Sequence, residues 1–374
     1  MKSDGNLLLV SNYPSDVAYA WWLMEHFWCV LADEFARSGS KVFLAYPEVN
    51  NAPKAAIKER MEVVALDVFE GDQDAVAKFI KVNDIRVLYL TDRPFFSVAY
   101  LRMRRLGVEK IIVHDHTPGD RPAIGGVKGL LKALRNRLPA FTCDAQIAIS
   151  PLMRKRSLEN GRIPASKVYC VQNGIPDATL SEDRLAVRKR LGISEDTVVV
   201  ISTGRAHPYK RPQFIMNAAA SVLEHSTKDV VFLIVGDGPE FEALESLHAE
   251  LKLADRCRLL GYRKDVASLL CASDIAVHAA LGEGFSLSIL EYMRAKLAVL
   301  VPNIPSVQQA IMPEESGLVY QWDRVEALSE DILRLVDDSA LRLKLGKSAS
   351  SEVREKYSLD MCTTQFKDAL KVLD

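Results

Sequence analysis

The chain lacks a dominant sign of charge: 48 Lys and Arg stand against 49 Asp and Glu, a formal net charge of -1. No global positive field exists to collect phosphates, which argues against wholesale nucleic-acid binding and leaves only local basic patches. Long apolar runs are also lacking. The N-terminus, MKSDGNLLLV, has four apolar residues before a polar loop, and residues 19–32 are interrupted by Glu25 and His26. Neither has the length of a signal peptide or a membrane span, so a cytoplasmic protein is expected. Paired cysteines are absent as well. Cys29, Cys143, Cys170, Cys257, Cys271 and Cys362 include no CxxC spacing, and they read as buried thiols in a reducing compartment, neither a disulfide frame nor a zinc site. Repeats and low-complexity segments are missing too.

What is present is an enzyme-like composition, 48% apolar and 26% charged over 374 residues. That length exceeds one ordinary core and implies two domains. Thirteen short runs rich in Val, Ile and Leu recur, at 7–10, 42–45, 63–66, 87–90, 111–113, 147–149, 168–171, 198–201, 230–235, 257–260, 275–277, 298–301 and 318–320. Their apolarity is continuous, as expected of strands buried on both faces of a parallel sheet. Helical patterns lie between them, for example 21–38 and 74–83. Alternating strand and helix predicts a doubly wound α/β architecture, and thirteen strands predict two sheets. The NGIP stretch and polar residues of 173–181 mark the boundary, giving domains at 1–178 and 179–358, with a last helix at 359–374.

In open parallel sheets ligands bind beyond the carboxyl ends of the strands. Four successive strand ends in the second half carry glycine, charge or both: Gly204-Arg205 followed by Lys210, Gly236-Asp237-Gly238-Pro239, Gly261-Tyr262, and His278 followed by Glu283-Gly284-Phe285-Ser286. Glycines let backbone approach a ligand closely. Arg205 and Lys210 offer a bidentate fork and a point charge suited to phosphate. Ser286 is placed to cap a helix running to about Lys296, whose start favours an anion. Glu283 precedes that helix and Glu291 lies about one and a half turns into it. Both carboxylates can accept bonds from sugar or ribose hydroxyls.

Taken in order, Gly204-Arg205, Lys210, Val235-Gly236-Asp237-Gly238-Pro239, Leu260-Gly261-Tyr262 and Glu283-Gly284-Phe285-Ser286-Leu287 through Glu291 resemble glycosyltransferase family 4. The Glu-x7-Glu spacing around Gly-Phe is the most specific part. The resemblance is strong over 198–318 and weaker before it. It implies the GT-B fold, two Rossmann-like domains facing across a cleft, with the stretch KYSLDMCTTQF in a closing helix that returns to the first domain. It implies a donor that is a nucleotide-diphosphate sugar, configuration retained, and no metal or other cofactor. Arg205 and Lys210 would then hold the diphosphate, Glu283 the sugar hydroxyls and Glu291 the ribose. The N–H groups of Gly284, Phe285 and Ser286 would meet sugar or phosphate, with Leu287 opening the helix, and the Gly261-Tyr262 loop would meet the base. The acceptor would be a saccharide or a lipid-linked sugar, and the pathway cell-surface polysaccharide or glycolipid synthesis. A sugar-nucleotide epimerase, a phosphorylase and a non-catalytic binding module are the competing readings.

The first half carries fewer signals. Strand 111–113 runs into His114-Asp115-His116, and family 4 often has a His there near the transferred sugar; His116 is favoured over His114. A zinc site is the alternative, though adjacent residues at a strand end rarely converge on one metal. Asn173-Gly174 matches the family's interdomain Asn-Gly. Two departures stand out: Ser11-Asn12-Tyr13-Pro14 replaces the usual paired glycines of the first loop, and Pro302-Asn303-Ile304-Pro305-Ser306 replaces a late Gly-Gly. Tyr19, Trp21, Trp22 and Trp28 crowd the first helix, either as core or, for Tyr19, Trp21 or Trp22, as a stacking face for an acceptor sugar. Residues 126–138 place Val127, Leu130, Leu131, Leu134 and Leu138 on one helical face and Lys128, Lys132, Arg135 and Arg137 elsewhere. That pattern fits either peripheral membrane contact or a packed helix with a solvated basic face. Asp72-Gln73-Asp74 matches a metal-binding DxD in form, but its place at a helix start makes N-capping the better account.

Overall fold

All thirteen apolar runs are strands, and every strand pairs parallel to its neighbours. The computed structural model describes residues 5–16, 21–119, 122–177 and 182–371. The chain divides into two compact units, Met1–Gln172 with Asp360–Asp374, and Asn173–Leu359.

Among the described residues the first unit alternates β1 (Asn6–Val10), α1 (Trp22–Ala36), β2 (Val42–Tyr46), α2 (Ala55–Lys58), β3 (Glu62–Ala65), α3 (Gln73–Val82), β4 (Ile85–Thr91), α4 (Val98–Arg105), β5 (Lys110–Asp115), α5 (Gly126–Arg135), β6 (Ala145–Ala148), α6 (Pro151–Glu159) and β7 (Val168–Cys170). The sheet order is β3-β2-β1-β4-β5-β6-β7. Leu7, Leu8 and Leu9 of β1 are all fully buried, the both-face burial that continuous apolarity implies. The edge strands depart from this: in β3 Glu62 and Ala65 are exposed and Val63 and Val64 only half-buried, and in β7 Tyr169 and Cys170 are half-buried. On α1, Leu23, Phe27, Leu31 and Phe35 recur every four residues and face the core, with Trp28 beside them. Asp72 caps α3, its carboxylate accepting from the N–H groups of Asp74 (2.9 Å) and Ala75 (3.3 Å).

The second unit runs α7 (Arg184–Leu191), β8 (Val198–Thr203), α8 (Pro212–His225), β9 (Val230–Val235), α9 (Phe241–Glu250), β10 (Cys257–Leu259), α10 (Val266–Cys271), β11 (Ile275–Val277), α11 (Leu287–Arg294), β12 (Ala298–Pro302), β13 (Leu318–Tyr320), α12 (Val325–Asp337) and α13 (Ser339–Lys356). Its sheet order is β10-β9-β8-β11-β12-β13, so the order reverses between β8 and β11. Asp274, just before β11, fixes that pair. Its carboxylate binds the guanidiniums of Arg184 (2.6 Å) and Arg188 (2.7 Å) and the N–H of Val199 on β8 (2.8 Å).

The last helix, α14 (Leu359–Leu370), packs within the first unit. Phe366 lies against Phe27 with ring centroids 4.6 Å apart, Thr363 Oγ1 meets His26 Nε2 at 2.8 Å, and Gln365 Oε1 accepts from the N–H of Gln172 at 2.8 Å. The six cysteines are free thiols; Cys143, Cys257 and Cys362 are buried, and Cys29, Cys170 and Cys271 half-buried.

In α13, a Cβ built on Gly346 would lie 2.0 Å from the carbonyl oxygen of Lys296. Alanine usually favours a helix over glycine by about 1 kcal/mol. At this position the clash reverses the sign, and Gly346→Ala is expected to lower stability by about 2 kcal/mol. The urea midpoint reads this out; an unchanged or raised midpoint contradicts the close packing of α13.

Candidate active site

The reversal between β8 and β11 opens a crevice at the carboxyl edge, the usual ligand site of such sheets. Three strand exits are knitted together there. Gly204 N–H donates to Val235 O (2.9 Å), Ala206 N–H to Asp237 O (2.9 Å) and Gly236 N–H to Gly261 O (2.8 Å). Gly236 has φ +135°, and a Cβ on it would sit 1.8 Å from Gly204 O; at Gly238, φ +154°, the nearest atom would be Ala206 O at 2.5 Å. These two glycines are therefore required by neighbouring loops that stack directly on them, whatever a ligand does. The recess so formed, about 300 Å³ including its open mouth, is lined by Thr203, Gly204, Arg205, Lys210, His278 and Ala279 among others. Gly236, Gly238, Gly261, exposed Tyr262, Glu283, Gly284, Phe285, Ser286, Leu287 and Glu291 are not among its lining residues; Glu283 reaches its edge through Lys210 and His278.

At this recess Lys210, from the single turn Pro208–Lys210, meets Glu283 in an ion pair. His278, following β11, donates from Nε2 to the same oxygen, Oε1, at 2.7 Å. Burial opposes a charged Glu283, but Lys210 and His278 outweigh it and hold the carboxyl at about 2. Burial likewise lowers His278, against the pull of Glu283; since an ionised carboxylate can only accept, Nε2 is the donor of this pair. The other oxygen, Oε2, carries no hydrogen bond among the described residues. Tyr292, on α11, ties that helix to the exit of β8. Its hydroxyl accepts from Thr203 N–H (2.7 Å) and donates to Thr203 O (3.0 Å), and burial pushes it up to about 12.

Helix α11 differs in two respects from the sequence expectation. Ser286 stands at the N-cap position, but its side chain makes no cap bond, and the helix stops at Arg294, not near Lys296. Two amides hold the loop instead: Asn173 Nδ2 donates to Phe285 O (3.0 Å), and Gln309 Nε2 to Gly284 O (3.0 Å) and Ser306 O (2.7 Å). Those carbonyls are thus occupied, while the first N–H groups of α11, from Leu287 onward, have no partner within the helix. Glu291 has a raised pKa because burial outweighs the nearby Arg294.

In the first unit His114 is fully buried, its Nδ1 2.6 Å from the Tyr89 hydroxyl and its ring stacked on Phe366. Burial and then His116 push it well below the usual imidazole range. It is a core residue. His116 is half-buried: its backbone N–H donates to Asp92 Oδ1 at 2.5 Å, its Nδ1 lies 3.6 Å from the same oxygen, and its two ring nitrogens are buried and make no hydrogen bond among the described residues. Asp115 turns elsewhere, accepting from Gln146 Nε2 (2.9 Å) and Thr117 N–H (3.0 Å). The three residues therefore do not converge. Trp28 is core, Trp21 and Trp22 are half-buried, and Tyr19 lies outside the described residues.

His278, Tyr292 and Gln309 carry roles that the sequence reading did not assign. Each stands singly in an apolar or polar run with no spacing signal. Only its position after a strand end marks His278.

The family model described as Glycosyl transferases group 1 matches residues 183–352, and that described as Glycosyltransferase Family 4 matches residues 24–179. The chain belongs to glycosyltransferase family 4. It is 29% identical over 182 residues to UDP-Gal:alpha-D-GlcNAc-diphosphoundecaprenol alpha-1,3-galactosyltransferase of Escherichia coli, covering 48% of this chain and 47% of that protein. It is 26% identical over 274 residues to N-acetyl-alpha-D-glucosaminyl L-malate synthase of Bacillus anthracis, covering 73% and 71%. The match thus spans about half the length of the first relative. Among solved structures, a glycosyltransferase from Rickettsia africae ESF-5 superposes with TM-score 0.75 at 17% identity, covering 99% of each chain. Anabaena Alr3699/HepE in complex with UDP-glucose gives TM-score 0.75 at 16% identity, covering 98% and 99%. The fold is GT-B, built of two Rossmann-like units.

Replacing Lys210 by Met strands the Glu283 carboxylate. Lys210→Met is expected to cost about 2–3 kcal/mol at neutral pH, and Glu283→Gln added to it to recover most of the loss. Without Lys210 the carboxyl takes up a proton more readily when folded than unfolded, so the penalty shrinks as pH falls toward that of a free carboxylic acid. Urea titrations across pH measure both effects; a penalty independent of pH contradicts the ion pair.

Proposed function

We propose that the chain transfers a sugar from a nucleoside-diphosphate donor to a saccharide or lipid-linked acceptor with retention of anomeric configuration. The observation that carries this reading is the meeting of Lys210, Glu283 and His278 at the recess between β8 and β11. Cationic groups for a diphosphate and an oxygen free to accept from a sugar hydroxyl there stand side by side. The relatives' names add support, since they act on lipid-linked, malate or sugar acceptors or were crystallised with UDP or UDP-glucose.

In this reading Arg205 and Lys210 engage the diphosphate, helped by the first N–H groups of α11 and the backbone of 284–287. Glu283 Oε2 orients donor-sugar hydroxyls, while Oε1 stays fixed by His278. Glu291, half-buried on α11, accepts from the ribose, Asn173 holds the Phe285 carbonyl, and Gly261-Tyr262 offers an exposed ring to the base. Gly236 and Gly238 let the loops after β8 and β9 stack beside the recess. As the bond between the anomeric carbon and the phosphate oxygen breaks, its electron pair stays on the phosphate. The acceptor oxygen bonds to the anomeric carbon, and its proton passes to that phosphate oxygen. Arg205, Lys210 and α11 are aimed at the growing negative charge, the term that usually dominates catalysis. They take the role a metal plays elsewhere. His116, its Nδ1 beside the Asp92 carboxylate, is assigned to the transferred sugar, and Trp21 or Trp22 to the acceptor. A lipid-linked acceptor and cell-surface glycan or glycolipid synthesis would place the protein at the cytoplasmic face of a membrane.

Release of nucleoside diphosphate across a panel of nucleotide sugars tests this. One donor should turn over, unaffected by a chelator, and Lys210→Ala should lower kcat by about 100-fold or more. The anomeric configuration of the product, read by NMR, should match the donor's. No turnover of any donor, or full activity of Lys210→Ala, refutes the reading.

A further inference from the structure

An amphipathic helix normally turns its apolar stripe inward. Helix α5 does the reverse. Its buried positions are Gly129 and Asn136, with Lys132 half-buried between them. At about 100° per residue these three share one side. That side is fastened by polar and close contacts. Asn136 Nδ2 donates to Gly161 O (2.8 Å), Lys132 Nζ donates to Asn160 O (2.7 Å), and a Cβ on Gly129 would lie 2.4 Å from Ile124 O. The apolar side faces out: Val127 is 74% exposed, Leu130 61%, Leu131 58%, Leu134 54% and Leu138 48%. The packed-helix reading of 126–138 is thereby overturned. The helix is fixed to the protein by its polar side, and five large apolar side chains are left toward solvent.

Charge identifies what covers them. Lys128 and Arg135 flank the apolar stripe on one side and Arg137 on the other, all three exposed. No Asp or Glu stands between Asp120 and Asp144. The segment beneath, α6 with 160–162, adds Arg154, Lys155 and Arg162 against Glu159. A stripe of leucines bordered by cations, in a chain whose net charge is -1, matches the boundary between anionic headgroups and acyl chains. Among the described residues no helix is long and apolar enough to cross a membrane. We infer that α5 is a membrane-docking helix that lies in the plane of an anionic lipid surface, with Leu130, Leu131 and Leu134 inserted and Lys128, Arg135 and Arg137 on the headgroups. The inference stands on the first unit alone and holds whether or not the donor chemistry does.

Co-sedimentation of the full chain with vesicles tests it, using phosphatidylcholine alone and phosphatidylcholine with about 30% phosphatidylglycerol. Wild type should sediment with the anionic vesicles only, and less as salt rises. Leu130→Gln/Leu131→Gln/Leu134→Gln should weaken binding by about tenfold or more, and Lys128→Gln/Arg137→Gln by a similar factor. Because these side chains are exposed, the thermal midpoints should stay near wild type. Failure of wild type to bind anionic vesicles, equal binding to neutral ones, or a triple-Gln variant that binds like wild type overturns the proposal. So does a wild-type dimer on size exclusion that the triple-Gln variant converts to monomer without any vesicle binding, since a second copy would then cover the face.

Discussion

A carboxylate held charged in a half-dry recess is the constraint around which the second unit is arranged. Glu283 is unstable there alone, because burial favours its neutral form. It stays ionised because Lys210 and His278 converge on one of its oxygens from two different strand exits. That convergence requires β8 and β11 to be adjacent, which the sheet order supplies, and to be held in register, which Asp274 supplies through Arg184, Arg188 and Val199. It also requires α11 to start at a fixed place, which Tyr292 ensures by its bonds to Thr203. Lys210 therefore stands where it can balance Glu283 or a ligand's phosphate. In the proposed function the arrival of a diphosphate shifts that balance.

The two units illustrate different uses of the same architecture. In the second, polar groups gather at the reversal of strand order. In the first, a polar residue near the end of β5 goes into the core: His114 is absorbed by Tyr89 and Phe366, while the next histidine, His116, is half-buried beside Asp92. Helix α5 departs further, with its polar side serving as the glue and its apolar side exposed.

Much of this was legible in the amino-acid order. Strands buried on both faces announce themselves as continuous apolar runs, so all thirteen were readable; the edge strands β3, β7 and β10, exposed or half-buried in part, depart from that pattern. The Glu283–Glu291 segment and Lys210 stood out in the sequence because glycine and charge coincide after successive strands. Their pairing was not, since Lys210 and Glu283 are 73 residues apart and only the β8–β11 adjacency joins them. Gly236 and Gly238 were read as making room for a ligand, while the nearest obstacle is backbone of a neighbouring loop. The Ser286 cap was expected from residue type, but amides of Asn173 and Gln309 organise that loop from far along the chain. For α5 the helical period located the apolar face correctly; which face the protein would use depended on Gly129 and Asn136, which carry no hydrophobic signal.

In the proposed function the recess beside Glu283 holds the donor's diphosphate. A crystal structure of the chain with a nucleoside diphosphate is the most direct measurement. The account predicts phosphate oxygens within bonding distance of Lys210 Nζ, the Arg205 guanidinium and the N–H groups at the start of α11, with the Lys210–Glu283 contact loosened. A diphosphate bound elsewhere, with that contact unchanged, would contradict it.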